Sequence, residues 1–262
     1  MIDSRKQTAS KTGLSIDKQR SYNEIVEYLD SHWNTQSDTK TLDRIKKLDI
    51  AFGSLANKIP AVLVSGTNGK SLTINFATKL FKEEGLKVGT FYSPHILTYN
   101  ERLSISGESI SNKQFTEIGN EVINKSEAEK ISANTQELLT MMAILYFSQQ
   151  KIDVALMEVS KDGQYNPVNI CNAKVAAITR ATLEDVKTSS QNMKEIITEM
   201  SGIIKKDTWL VSGDQNKENL ELMQRLALSN GGHWAMPIRK LAALKYPFEQ
   251  LHGRCAALAE RI

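Results

Sequence analysis

Cysteine is scarce in this sequence. Cys171 and Cys255 are the only two among 262 residues, too far apart to suggest a disulfide framework, and they fit reduced thiols used as small buried side chains. No apolar run approaches the roughly 18 residues that a membrane-spanning helix needs. The first residues hold no apolar signal core, and these absences together predict a cytoplasmic protein. An excess of one charge is also missing: 33 Lys and Arg face 30 Asp and Glu, evenly scattered, for a net charge of +3. That balance predicts neither nucleic acid nor a membrane as partner. His32, His233 and His252 stand at no metal-ligand spacing from one another. There is no nucleophile elbow, no Cys–His pairing cue and no dinucleotide fingerprint. What is present is ordinary for a globular chain, 40% hydrophobic and 24% charged, and long enough for one large domain or a domain with an appendage.

Residues 1–20, "MIDSRKQTASKTGLSIDKQR", are polar and predict a disordered tail. Lys, Arg, Ser and Thr in it would suit a transit peptide, but Asp3, Asp17 and the weak amphipathic pattern argue against one. Residues 21–59 read as a helical lead-in, with Tyr22, Ile25, Val26, Leu29 and Trp33 at helical spacing and a second helix in "TLDRIKKLDIAFGSL". Trp33, Trp209 and Trp234 read as packing residues. From Pro60 onward short apolar runs alternate with amphipathic helical segments, among them "TQELLTMMAILYFSQQ" and "NMKEIITEMSGIIKK". "AVLVSG", "KVGTFYS", "DVALMEV", "KVAAITR" and "TWLVSG" have the composition of strands buried on both faces. The alternation predicts an α/β fold over residues 60–262, a three-layer doubly wound and mainly parallel sheet. Ligands of such sheets bind beyond the carboxyl ends of the strands. Those ends carry Ser65 to Ser71, Ser93 to His95, Glu158 to Gly163 and Thr179 to Asp185.

The first of these ends, "AVLVSGTNGKSLTINFA", reads as a strand, a glycine-pinched turn and a helix. The general phosphate-loop pattern asks for Gly, four residues, then Gly-Lys-Ser/Thr. Gly69, Lys70 and Ser71 satisfy its end, while Val64 occupies the place of its first glycine. Gly66 and Gly69 let backbone N–H groups turn inward, and the following helix directs its positive end to the same place. Gly66, Thr67, Asn68, Gly69, Lys70, Ser71 and Leu72 therefore form a candidate nucleotide cradle of P-loop NTPase type. Lys70 would reach the outer phosphates and Ser71 would ligate Mg2+. The plainer alternative is an ordinary strand-to-helix turn with Lys70 solvated.

"SGTNGKS" resembles the nucleotide loop of the Mur ligase superfamily, which does not need the extra glycine. Within that superfamily the likeness is to folylpolyglutamate synthase and dihydrofolate synthase. "YSPHILTYNERLSISGESIS", "NTQELLTMMAILYFSQQKIDVALMEV" and "SGIIKKDTWLVSG" resemble further blocks of that family in the same order, so the likeness runs from about Ser21 to Gly213. It implies a central ATP-binding domain in an enzyme that phosphorylates a carboxylate with ATP and then joins it to an amino acid. The implied substrates are ATP, glutamate and a folate-like acceptor, with Mg2+ as cofactor. Carried over by position, Lys70 contacts the outer phosphates, Ser93 and Glu158 ligate Mg2+ beside Ser71, and Asp185 stands where the family has a histidine ligand of a second metal. Lys70 and Asp185 are thus the candidate catalytic residues. Glu158 could also be a plain solvated strand end. Arg102 in "NERL" is either near the phosphates or folate, or in a surface salt bridge. His95 is either functional or simply hydrogen-bonded at a strand end.

The departures point the other way. The family's glycine-rich segment after Glu-Val becomes "EVSKDGQYNPVN", with Ser160 and Asp162 in place of glycines and Asn166 in place of an acidic residue. The family's carbamylated lysine falls at Met200, which can neither be carbamylated nor ligate Mg2+. Losing one charge-stabilising group costs on the order of 10²–10³ in rate. Lys194, Lys205 and Lys206 are the nearby lysines that could substitute. The family's C-terminal domain has no counterpart after Gly213, so it is absent, cut off or supplied by a partner chain. The alternative implied is a degenerate ATP- or ADP-binding module.

Overall fold

A computed structural model of the chain describes residues 18–33, 41–160, 163–183, 192–235 and 250–262. Eight strands form one sheet: β1 (Ala61–Ser65), β2 (Val88–Phe91), β3 (Leu103–Ile105), β4 (Glu108–Ser109), β5 (Val154–Glu158), β6 (Val175–Ile178), β7 (Trp209–Ser212) and β8 (His233–Trp234). Their order is β4-β3-β2-β5-β1-β6-β7-β8. From β2 through β8 every neighbouring pair is parallel, and β3 and β4 add an antiparallel edge. β1 lies inside the sheet with every residue buried. Its side chains alternate as strand geometry requires: Val62 and Val64 face one apolar cluster, Leu63 the other.

Helices cover both faces. α3 (Lys70–Glu83) and α8 (Gln250–Ala259) pack together on the Val62 and Val64 side. On the other side lie α1 (Tyr22–Ser31), α2 (Asp43–Ala51), α4 (Asn112–Ala128), α5 (Thr135–Gln150), α6 (Met193–Ser201) and α7 (Lys217–Ser229). α5 is apolar nearly all round and buried along most of its length, as a helix at the centre of a layer must be. The expected three-layer α/β architecture is therefore present.

One detail adds to the sequence reading and two differ from it. The lead-in helices α1 and α2 are present and pack into the core beneath the sheet. Ile25, Leu29, Ile45 and Leu48 are fully buried in the same core as α4 and α5. Arg20, at the end of the stretch expected to be tail, is buried too. Its N–H donates to Asn120 Oδ1 at 2.7 Å and its guanidinium to Asn124 Oδ1 and both carboxylate oxygens of Glu127. Residues 1–17 lie outside the described residues. The segment "NMKEIITEMSGIIKK" is helical only to Ser201, after which Ile203 and Ile204 turn into the core.

Candidate active site

The candidate site is assembled at the carboxyl ends of β1, β5 and β2. Val64 is still strand, fully buried, and its carbonyl accepts the N–H of Val159 at 2.9 Å. A glycine is not needed there because the chain has not begun to turn. The turn starts at Gly66, with φ 139°, where a Cβ would sit 2.0 Å from Thr179 Oγ1. Gly69, with φ 82°, caps the start of α3. The loop is pinned from the β6 side. Thr67 N–H and its hydroxyl both donate to Arg180 O, and Thr179 Oγ1 donates to Asn68 O at 2.6 Å.

Lys70 Nζ folds back to donate to Gly66 O at 2.8 Å and stands 4.0 Å from Glu158 Oε1. Ser71 Oγ donates to Glu158 Oε2 at 2.9 Å. Glu158 closes β5 and is only 3% exposed, so it is no solvated strand end. Burial pushes its carboxyl above the ordinary range; Lys70, the Ser71 hydroxyl, the backbone N–H of Ser93 and Arg102 oppose that rise. Ser93, buried at the end of β2, receives Arg102 Nη1 at 3.5 Å and Gln136 Nε2 at 3.4 Å. Lys70, Ser71, Ser93 and Glu158 thus meet, as the sequence positions imply. Leu72 lies half-buried in the first turn of α3, and Asp185 lies outside the described residues.

Among the described residues no three His, Cys, Asp or Glu gather closely enough to hold a metal by themselves. One buried carboxylate flanked by hydroxyls is chemically suited to a hard cation that keeps waters and phosphate oxygens. The glycine turn, the start of α3 and Lys70 have the geometry of an adjoining anion cradle.

No protein-family profile matches the chain. Individual relatives do. The dihydrofolate synthase/folylpolyglutamate synthase of Bacillus subtilis is 30% identical over 224 residues, 84% of this chain and 49% of that protein. The chain is similar over most of its length to folylpolyglutamate/dihydrofolate synthases. The folylpolyglutamate synthase of Lacticaseibacillus casei is 27% identical over 88% of this chain and 54% of its own length. Mycobacterium tuberculosis folylpolyglutamate synthase, solved with ADP, superposes with a TM-score of 0.81 at 25% identity, covering 91% of this chain and 60% of that one. The chain spans about half the length of the curated synthases it matches.

Against this synthase background, Met200, Ser160 and Asn166 have definite places, while Asp162, like Asp185, lies outside the described residues. Met200 is partly buried against the main apolar cluster. Lys205 Nζ is committed to the carbonyls of Asn169 and Cys171, and Lys194 and Lys206 are exposed. None of the three is brought to Glu158. Ser160 and Asn166 bond to each other, Asn166 Nδ2 donating to Ser160 Oγ at 2.8 Å. Arg102 is fully buried, which excludes a surface salt bridge. Its Nε donates to His95 Nδ1 at 2.9 Å, so His95 is a hydrogen-bonded strand-end histidine, held below its usual pKa by burial and by Arg102.

The sequence reading missed a cleft of about 280 Å³ beside the loop, lined by Arg180, Thr182, Asp214, Asn216, Asn219 and Arg254 among others. Asp214 is buried and accepts from the N–H groups of Ala181 and Asn216 and from Asn219 Nδ2. "SGDQN", directly after the β7 strand, was the signal available for it.

Proposed function

We propose that this chain is the nucleotide-binding part of an ATP-dependent ligase that joins glutamate to a folate-type carboxylate through an acyl phosphate. The observation that carries the reading is the meeting of Lys70, Ser71, Ser93 and Glu158 over the glycine turn. The names of the relatives support the substrates. The loop N–H groups would cradle the phosphates of ATP, and Lys70 would exchange Gly66 O for an outer phosphate oxygen. Ser71, Ser93 and Glu158 would hold Mg2+, which neutralises charge on the phosphoryl group being transferred. In the first step the acceptor carboxylate oxygen bonds to the terminal phosphorus and ADP leaves. In the second the glutamate amine bonds to the acyl carbon and inorganic phosphate leaves.

A second reading, a nucleotide-binding module that does not ligate, is favoured by Met200 and by the uses already made of Lys205. The two are separated by incubating the chain with Mg-ATP, glutamate and a reduced folate and following folate mass. The ligase reading expects a glutamylated product that disappears with Lys70→Ala. ATP binding without product, lost in Lys70→Ala, favours the binding module.

A further inference from the structure

The cleft of about 280 Å³ beside the glycine loop takes no part in the chemistry at Glu158, and its polar groups divide into spent and unspent ones. Asp214 is spent: it accepts the N–H groups of Ala181 and Asn216 and the amide of Asn219. Asn216 Oδ1 caps the N–H of Asn219 at 3.1 Å. Gln215 turns its amide onto the carbonyls of Gly213 and Asp214. The unspent groups are the guanidiniums of Arg180 and Arg254, which line the cleft and pair with no carboxylate among the described residues. Arg20 and Arg44, by contrast, are each held by a glutamate. α7 begins at the same place with Asn216 as its N-cap, so its positive end adds to theirs. Two free cations thus share the cleft with one carboxylate that three N–H groups already satisfy. Ala181, Leu183 and Met193 give it an apolar wall.

We propose that this cleft is a second oxyanion site, which takes the phosphoryl group of a small phosphorylated molecule on Arg180 and Arg254 and its organic part against Leu183 and Met193. Two guanidinium forks suit the dianionic oxygens of a phosphate monoester. The volume stands near the roughly 300 Å³ at which small-molecule pockets begin, which leaves room for an organic body beside the phosphate. The cleft is separate from the place of the outer nucleotide phosphates. Glu158 ends β5 and Asp214 follows β7, and in the order β5-β1-β6-β7 three strand spacings of roughly 4.8 Å lie between them. Its wall at residues 180–182 is already fixed to the glycine loop. Thr67 N–H and hydroxyl both donate to Arg180 O, and Thr182 N–H donates to Thr67 Oγ1 at 3.0 Å. Such a site would fill whether or not the chain ligates.

The test is calorimetric titration of the full chain with phenyl phosphate and with inorganic phosphate, without Mg-ADP and with Mg-ADP saturating the glycine loop. The variants are Arg180→Gln, Arg254→Gln and the two together. Phenyl phosphate should bind the Mg-ADP-loaded parent more tightly than inorganic phosphate does. Each single variant should weaken it about tenfold, the double variant should abolish it, and Mg-ADP affinity should be unchanged. Displacement of phenyl phosphate by Mg-ADP overturns the proposal, because the cleft is then the far end of the nucleotide site. Equal binding in parent and double variant, or none in the parent, overturns it as well. Inorganic phosphate that binds as tightly as the ester, and is weakened by the same variants, supports the oxyanion site and overturns the organic body. If Arg254→Gln loosens α8 and melts early, Arg180→Gln, on the β6 side, decides. A parent that fails to bind Mg-ADP sinks the nucleotide reading, and phenyl phosphate titrated into Lys70→Ala then judges the cleft alone.

Discussion

A single methyl group at Gly66 would collide with the loop's main fastening. The Cβ would stand 2.0 Å from Thr179 Oγ1 and 3.2 Å from the Arg180 backbone, at a φ of 139° that side chains rarely adopt. Gly66→Ala should therefore destabilise the fold by on the order of 2–4 kcal/mol and abolish nucleotide binding, read by urea melts and calorimetry. Retained stability with retained binding would contradict the loop geometry. At this scale the sequence revealed much. Lys70, Ser71, Ser93 and Glu158 were legible because each ends a strand or begins a helix, where position along the chain fixes position in space. Arg102 was not legible as a buried cation, because "NERL" has no periodicity to say which side chains turn inward. The short turn Tyr99–Arg102 that decides it is held by hydrogen bonds between Tyr22 of α1 and Asn100 and between Tyr99 and Asp30 of α1, and by the neighbouring β3 strand.

Among the elements, α5 matched its expected span at both ends. Its apolar run is bounded by a side-chain cap at Asn134 and a left-handed residue at Lys151. Glu137 does two jobs there. It accepts the Asn134 N–H in the capping box at 2.8 Å, and it pairs with Arg44 of α2 at 3.0 Å. Glu137 is buried and Arg44 partly exposed, so Glu137→Ala should cost roughly 2 kcal/mol, between loss of a cap and breakage of a buried pair. A denaturation midpoint equal to the parent's would show that the α2–α5 link contributes nothing. The elements that escaped the sequence reading are short. β3, β4 and β8 span three, two and two residues, too few for alternation to show. α6 was read too long because "SGIIKK" continues the apolar spacing past a glycine. The helix ends at Ser201 with Gly202 as its C-cap, closely packed against Gln164, a contact only the folded chain contains.

For the molecule as a whole, the alternation of strands and helices was enough to give the layers and the sheet. It could not say that α1 and α2 complete the same core, since a helix pattern states which face is apolar and not what it meets. One sheet carries an apolar cluster on each face and joins them, so nucleotide binding at one loop should be felt in global stability. Mg-ATP at a hundredfold excess over its dissociation constant should add about 2.7 kcal/mol. That corresponds to a rise in Tm of roughly 5–10 °C for a chain this size. Lys70→Ala should show no such rise, and an equal shift in parent and variant would place the nucleotide elsewhere.

The last helix has a consequence of its own. α8 lies along α3, and Cys255 Sγ stands 3.6 Å from the carbonyl of Gly69, the residue that caps the start of α3. Leu258 reaches down to the same apolar cluster as Val64 and Ile74. The glycine loop is thus clamped between the sheet and α8, which makes that helix a mechanical handle on it: any displacement of α8 would be delivered, through the Cys255 and Leu258 contacts, to the backbone proposed to grip phosphate.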